Sequence, residues 1–148
     1  MRLITASAVL ASFLAVPAFA GGHATGDAAA GEKTFNQCKA CHSITDADGN
    51  DIVKGGKTGP NLWGLPGRTA GADADFGRYK DSIVAAGEAG LTWDEAHFVT
   101  YLQDPNAFLK EYLDDPKARS GMAFRARKEE DALNVWAYIA SVSPEPGS

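Results

Sequence analysis

Apolar positions recur at helical spacing towards the end of the chain and lose all regular period in its middle. Over residues 128–141, Leu133, Trp136, Ala137 and Ala140 fall on one face of a helix, and Pro144 and Pro146 close it. Residues 92–103 predict a second helix: Thr92 and Glu95 form a capping box, Trp93, His97 and Tyr101 lie four apart, and Pro105 follows. Asp27 is placed to cap a helix reaching about residue 39. A short helix is predicted over 79–86 with Gly87 closing it, and a further helical turn over 106–113.

Between these segments the pattern breaks. In "KGGKTGPNLWGLPGRTAG", residues 54–71, glycine and proline interrupt every run that could make a strand. Apolar residues are too frequent there for simple disorder. The expectation is an all-α fold of about four to five helices, with long Gly/Pro-rich loops wrapped round something the chain does not encode. So much irregular backbone leaves a thin side-chain core, and a large planar group would fill it. Phe35, Trp63, Trp93, Tyr101 and Trp136 are the aromatic residues expected to pack there or on one another.

The N-terminus has a different pattern. After Met1 and Arg2 comes an apolar run from Leu3 to Val16, then Ala18-Phe19-Ala20. This is the form of a secretory leader with a cleavage site after Ala20. Thr5, Ser7, Ser12 and Pro17 interrupt the run and make it short for a membrane span. The expected organisation is a removed leader (1–20), a flexible mature terminus (21–26), one domain (27–142) and a tail (143–148), in a periplasmic protein without stable membrane insertion. A retained leader, which would fix the domain to a membrane, is the alternative.

Charge narrows the partners. The 148 residues carry 14 basic and 19 acidic side chains, a formal net charge of −5. Loss of the leader removes Arg2 and makes the balance more acidic. Nucleic acid is excluded as a partner, because its phosphates demand a basic face. A charged protein partner stays open, since a local basic patch can coexist with net negative charge.

Both cysteines lie in "FNQCKACHSI", as Cys38 and Cys41, with His42 next to them. A disulfide closing so short a loop constrains the unfolded chain little. A thioredoxin-type dithiol belongs where a strand turns into a helix, and no strand precedes Cys38. A zinc site needs a second ligand pair at short spacing, whereas only His23 and His97 remain, far apart. The remaining reading is C-x-x-C-H as a covalent haem c attachment: two thiols for two vinyl groups, and the adjoining imidazole as proximal iron ligand.

A sixth ligand has two candidates. Once the leader is gone, Met122 is the only methionine, in the loop-like segment "ARSGMAFRAR". His97 on the predicted 92–103 helix is the other. His23, in "GGHATG", is given no role.

The motifs together resemble the class I c-type cytochromes of the cytochrome c2 and mitochondrial cytochrome c group. The resemblance rests on "CKACHSI", "TGPNLWGLPGR", "LTWDEAHFVTYLQDP", "SGMAF" and "DALNVWAYI", in the family's order and spanning most of residues 27–142. It implies the small cytochrome c fold, with one haem c attached through Cys38 and Cys41 and iron held axially by His42 and Met122. It further implies that Pro60 accepts a hydrogen bond from the proximal imidazole, and that Arg68, Tyr79 and Trp93 surround the propionates. Tyr101 would stand beside the sulfur ligand and Phe124 near the exposed haem edge, while Ser120 occupies a position where the family commonly has threonine. The segments 43–59 and 106–121 are longer than in the small mitochondrial form, and the chain is acidic where that form is basic.

The implied function is a monomeric, soluble, single-electron carrier and not an enzyme. Its donor would be a bc1-type complex, and its acceptor a terminal oxidase, a photosynthetic reaction centre or a denitrification enzyme. The alternative is a haem enzyme or gas-binding protein with an open or bis-histidine iron site.

Overall fold

Asp27 starts the first helix. In the computed structural model, which describes residues 24–144, its carboxylate accepts the N–H groups of Ala29 and Ala30 at 2.8 and 3.0 Å. Helix α1 runs Ala28–Thr34. The expected helix to residue 39 does not continue as an α-helix: the chain tightens into a 3-10 turn at Phe35–Gln37. Cys38 and Lys39 both donate their N–H to the Phe35 carbonyl, at 2.8 and 3.2 Å. Cys41 and His42 then both donate to the Cys38 carbonyl, at 3.0 and 2.9 Å. These tight turns gather the two thiols and the imidazole.

The C-terminal helix α5 (Glu129–Val142) is the partner of α1. Its buried face is displaced from the predicted stripe: Ala132 and every residue from 134 to 139 lie inside, Trp136 and Ala137 among them, while Leu133 and Ala140 are only partly covered. The two helices meet at Gly31, where any Cβ would collide with the Asn134 carbonyl. Phe35 packs edge-on against Tyr138, ring centroids 5.6 Å apart. Asn134, the buried polar side chain of this interface, accepts the Asp27 N–H through Oδ1 at 2.7 Å and so is satisfied.

Helices α2 (Asp81–Glu88), α3 (Glu95–Gln103) and α4 (Pro105–Tyr112) complete the set of five α-helices among the described residues. Gly87 does not close α2. It lies inside the helix, where its lack of a side chain lets the Ala70 carbonyl approach, and the chain reverses at Gly90, φ 100°. The cap of α3 is Asp94, not Thr92: Asp94 Oδ1 accepts the His97 N–H at 2.7 Å. Thr92 is taken instead by a bridge to Thr69. Glu95, expected to complete the box, reaches the N–H and hydroxyl of Thr25, both at 2.7 Å.

Asp104 ends α3 and caps α4, accepting from Asn106 and Ala107 at 3.1 and 3.0 Å, with Pro105 at the first helical position. The expected single turn at 106–113 is therefore a full short helix. A small antiparallel hairpin, not anticipated, is built by β1 (Ile44–Thr45) and β2 (Asp51–Val53). Its turn is organised by Asp46, whose Oδ1 accepts the N–H groups of Asp48 and Asn50 at 3.0 and 2.8 Å. The architecture remains all-α with long loops, as expected. Among the described residues no helix is long and apolar enough to cross a membrane. The leader, His23 and Pro146 lie outside the described residues.

Candidate functional site

A cavity of about 460 Å³ opens between the C-x-x-C-H turn, the glycine-rich loop 58–71, α3 and the Met122 loop. Cys38, Cys41, His42, Pro60, Arg68, Tyr79, Trp93, Tyr101, Met122 and Phe124 all line it. Every site residue named from the sequence is thus brought to one place. His97 is not: its ring packs against Phe108 and Tyr112, with centroids 6.1 Å from each, and its Nδ1 lies 3.1 Å from the Thr92 carbonyl. The bis-histidine alternative has no support in this placement.

His42 donates its Nδ1–H to the Pro60 carbonyl at 2.8 Å. The carbonyl can only accept, so the tautomer is set and Nε2 keeps its lone pair for a metal. Burial lowers the imidazole below its ordinary value, and the bond to Pro60 only partly offsets this. The ring is therefore neutral, the form in which it can ligate. Gly59 makes room for it, since a Cβ there would collide with the ring.

Cys38 and Cys41 form no disulfide, the first being half-buried and the second exposed. Burial, with the nearby Cys41 second, pushes the Cys38 thiol up to about 11.

The Met122 loop is fastened by its neighbours. Ser120 Oγ accepts the Met122 N–H at 2.9 Å and lies 2.8 Å from the Tyr101 hydroxyl. Burial raises Tyr101 above the ordinary phenol value, with the Ser120 bond acting in the opposite direction. Arg68 donates to the carbonyls of Asn61 and Trp63 at 2.8 and 3.4 Å and stands 3.9 Å from Asp73. Two of its five donors are thereby spent on the loop. The others face a largely desolvated surrounding that lowers its own pKa.

Much of the cavity wall was not singled out in advance. Leu62, Leu65, Ile83, Phe98, Leu102 and Val135 provide its apolar faces. Asn61 ties the loop to the hairpin, accepting from Thr45 N at 3.0 Å and donating to Thr45 O at 2.7 Å. Its signal was its place directly after Pro60. Asn106, whose Oδ1 accepts the Ser120 N–H at 2.8 Å, gave no signal in the sequence.

The donor set fits a covalently held haem: paired thiols beside a neutral imidazole, a thioether lining the same cavity, apolar walls, and a cluster of Arg68, Tyr79 and Trp93 suited to carboxylates. No family model matches the chain. Comparison with individual proteins decides the family. Cytochrome c2 of Rhodobacter capsulatus is 58% identical over 139 residues, 94% of this chain and 96% of that protein. The chain belongs to the cytochrome c2 family.

Cytochrome c2 of Cereibacter sphaeroides is 51% identical over 144 residues, 97% of each chain. The X-ray structure of cytochrome c2 from Rhodobacter sphaeroides superposes with a TM-score of 0.79 at 53% identity, covering 82% of this chain and 99% of that one. The fold expected from the motifs is the fold of the cytochrome c2 family. Its cofactor, one covalently bound haem c per chain, goes with the Cys38 and Cys41 spacing.

Proposed function

We propose that this cytochrome c2 relative is a diffusing single-electron carrier, exported to the periplasm after loss of residues 1–20, with its haem iron held between His42 and Met122. One observation carries the reading: His42, its Nδ1 committed to Pro60, and Met122, its backbone held by Ser120, line the same cavity as the two thiols. Bound there, haem c supplies one reversible Fe(III)/Fe(II) couple, with imidazole and thioether ligation favouring the ferrous state.

The chain's own residues then do three things. Pro60 fixes the orientation and tautomer of the imidazole, and burial keeps the ring neutral. Leu62, Leu65, Ile83, Phe98 and Leu102 exclude water, which limits solvent rearrangement on electron transfer. Arg68, Tyr79 and Trp93 offer donors to the propionate carboxylates. No substrate pocket beyond the haem cleft is required, and the chain works as a monomer and not as an enzyme.

Partner docking falls to the cleft's rim. Arg78 and Lys80 line the cleft, and Arg125 and Arg127 line an adjoining groove that shares Cys38 and Phe124 with it. Lys39, Lys54 and Lys57 are exposed nearby in sequence. This basic rim on an acidic protein suits acidic faces of redox complexes, a bc1-type donor and an oxidase, reaction centre or denitrification enzyme as acceptor. The holoprotein should titrate reversibly as a one-electron couple and return to the same spectrum over repeated cycles. Turnover with peroxide, or rapid carbon monoxide binding by the ferrous form, would contradict the carrier reading.

A further inference from the structure

The segment 106–121 is not a passive insertion. Its first residue, Asn106 in α4, holds the Met122 loop on the upstream side, while Asp104 and the end of α3 hold it downstream. Upstream of Met122, Asn106 Oδ1 accepts the Ser120 N–H at 2.8 Å. Ser120 then holds two groups through one hydroxyl: it accepts the Met122 N–H at 2.9 Å and pairs with the Tyr101 hydroxyl at 2.8 Å. Downstream, Arg125 Nη1 lies 3.0 Å from Asp104 Oδ2, and the Ala126 N–H donates to the Leu102 carbonyl at 2.8 Å.

These anchors differ in weight. The Arg125 pair is half-exposed, with side-chain exposures of 53% and 38%, and such pairs contribute little. The Asn106 bond is partly buried. It also acts at the residue that orients the Met122 backbone, so its loss frees Ser120 to turn and the loop to drift.

We propose that Asn106 is a positioning residue for the axial sulfur: by accepting the Ser120 N–H it fixes the hydroxyl that holds Met122 and Tyr101, and so resists displacement of the thioether by small nitrogen ligands. The proposal rests on the reading of Met122 as an axial ligand. Asn106 is suited to the task because α4 places it rigidly. Pro105 sets the first helical position, and Asp104 accepts the Asn106 N–H at 3.1 Å.

The test is imidazole titration of the ferric holoprotein, with amide hydrogen exchange at Ser120 and Met122, in wild type, Asn106→Ala, Asn106→Asp and Met122→Ala. Asn106→Ala should bind imidazole about three- to tenfold more tightly, the size one ordinary hydrogen bond gives, and should lose protection at Ser120. Asn106→Asp keeps an acceptor oxygen and should restore both. Asn106→Ser, too short to reach Ser120, replaces the alanine variant should that fail to take up haem.

Unchanged imidazole affinity in Asn106→Ala, or an Asn106→Asp variant that behaves like it, overturns the proposal while leaving the ligand reading intact. Imidazole binding equally tight in wild type and Met122→Ala overturns the ligand reading itself, and the proposal with it.

Discussion

Gly59 lies against the His42 imidazole so closely that a Cβ at residue 59 would fall 2.7 Å from Nδ1 and 2.8 Å from Nε2. The ring is pinned from two directions, by this contact and by the Pro60 carbonyl at 2.8 Å. Gly59→Ala should therefore push the ring off the carbonyl or draw the loop away. Overpacking of this kind costs about 1–3 kcal/mol. The denaturant midpoint of the holoprotein should fall and its reduction potential shift; unchanged values would show that the ring has room to spare.

The same logic applies at the helix crossing. Gly31→Ala places a methyl group against the Asn134 carbonyl, so α1 must move off α5 and disturb the Phe35–Tyr138 contact. A loss of about 1–3 kcal/mol is expected, read from equilibrium unfolding. A variant as stable as the parent would mean that α1 can slide without cost.

The hairpin turn should respond to acid. Asp46 is held below the usual carboxylate range, first by the Asn50 backbone N–H and next by the Asn50 side chain. A depressed native pKa means that the turn gains stability above the unfolded pKa and loses it as pH falls through the folded one. Protection of the Asn50 amide should therefore decline below about pH 4. Asp46→Ala should show low protection at every pH, with no acid step.

Docking through a basic rim predicts salt dependence. The rate of electron exchange with an acidic partner should fall as ionic strength rises, because screening shortens the reach of exposed charges to about 8 Å at physiological salt. Arg127→Glu should slow exchange at low salt and matter little at high salt, measured by flash or stopped-flow kinetics. A rate indifferent to salt would place docking elsewhere.

Local chemistry was legible in the sequence and distant chemistry was not. Asp27 caps α1 as expected because its partners are two and three residues away. Thr92 failed as a cap for two reasons that span the chain: Thr69 pairs with it in a bridge, and Thr25 draws Glu95 away. The hairpin escaped notice because strands of two and three residues have no period to read. The cavity-lining residues named in advance stood, Tyr79 apart, in short blocks such as "CKACHSI" or "SGMAF". Asn106 was not legible, since its role comes from a partner 14 positions away in a loop.

The most direct measurement is the visible and far-red absorption spectrum of the ferric and ferrous holoprotein beside that of Met122→Ala. Coordination by His42 and Met122 predicts sharp low-spin bands in the ferrous form, and a ferric far-red sulfur-to-iron band that vanishes in the variant while C-x-x-C-H attachment persists. A high-spin wild-type spectrum, or a low-spin one that Met122→Ala leaves unchanged, would contradict the ligand pair and the carrier function built on it.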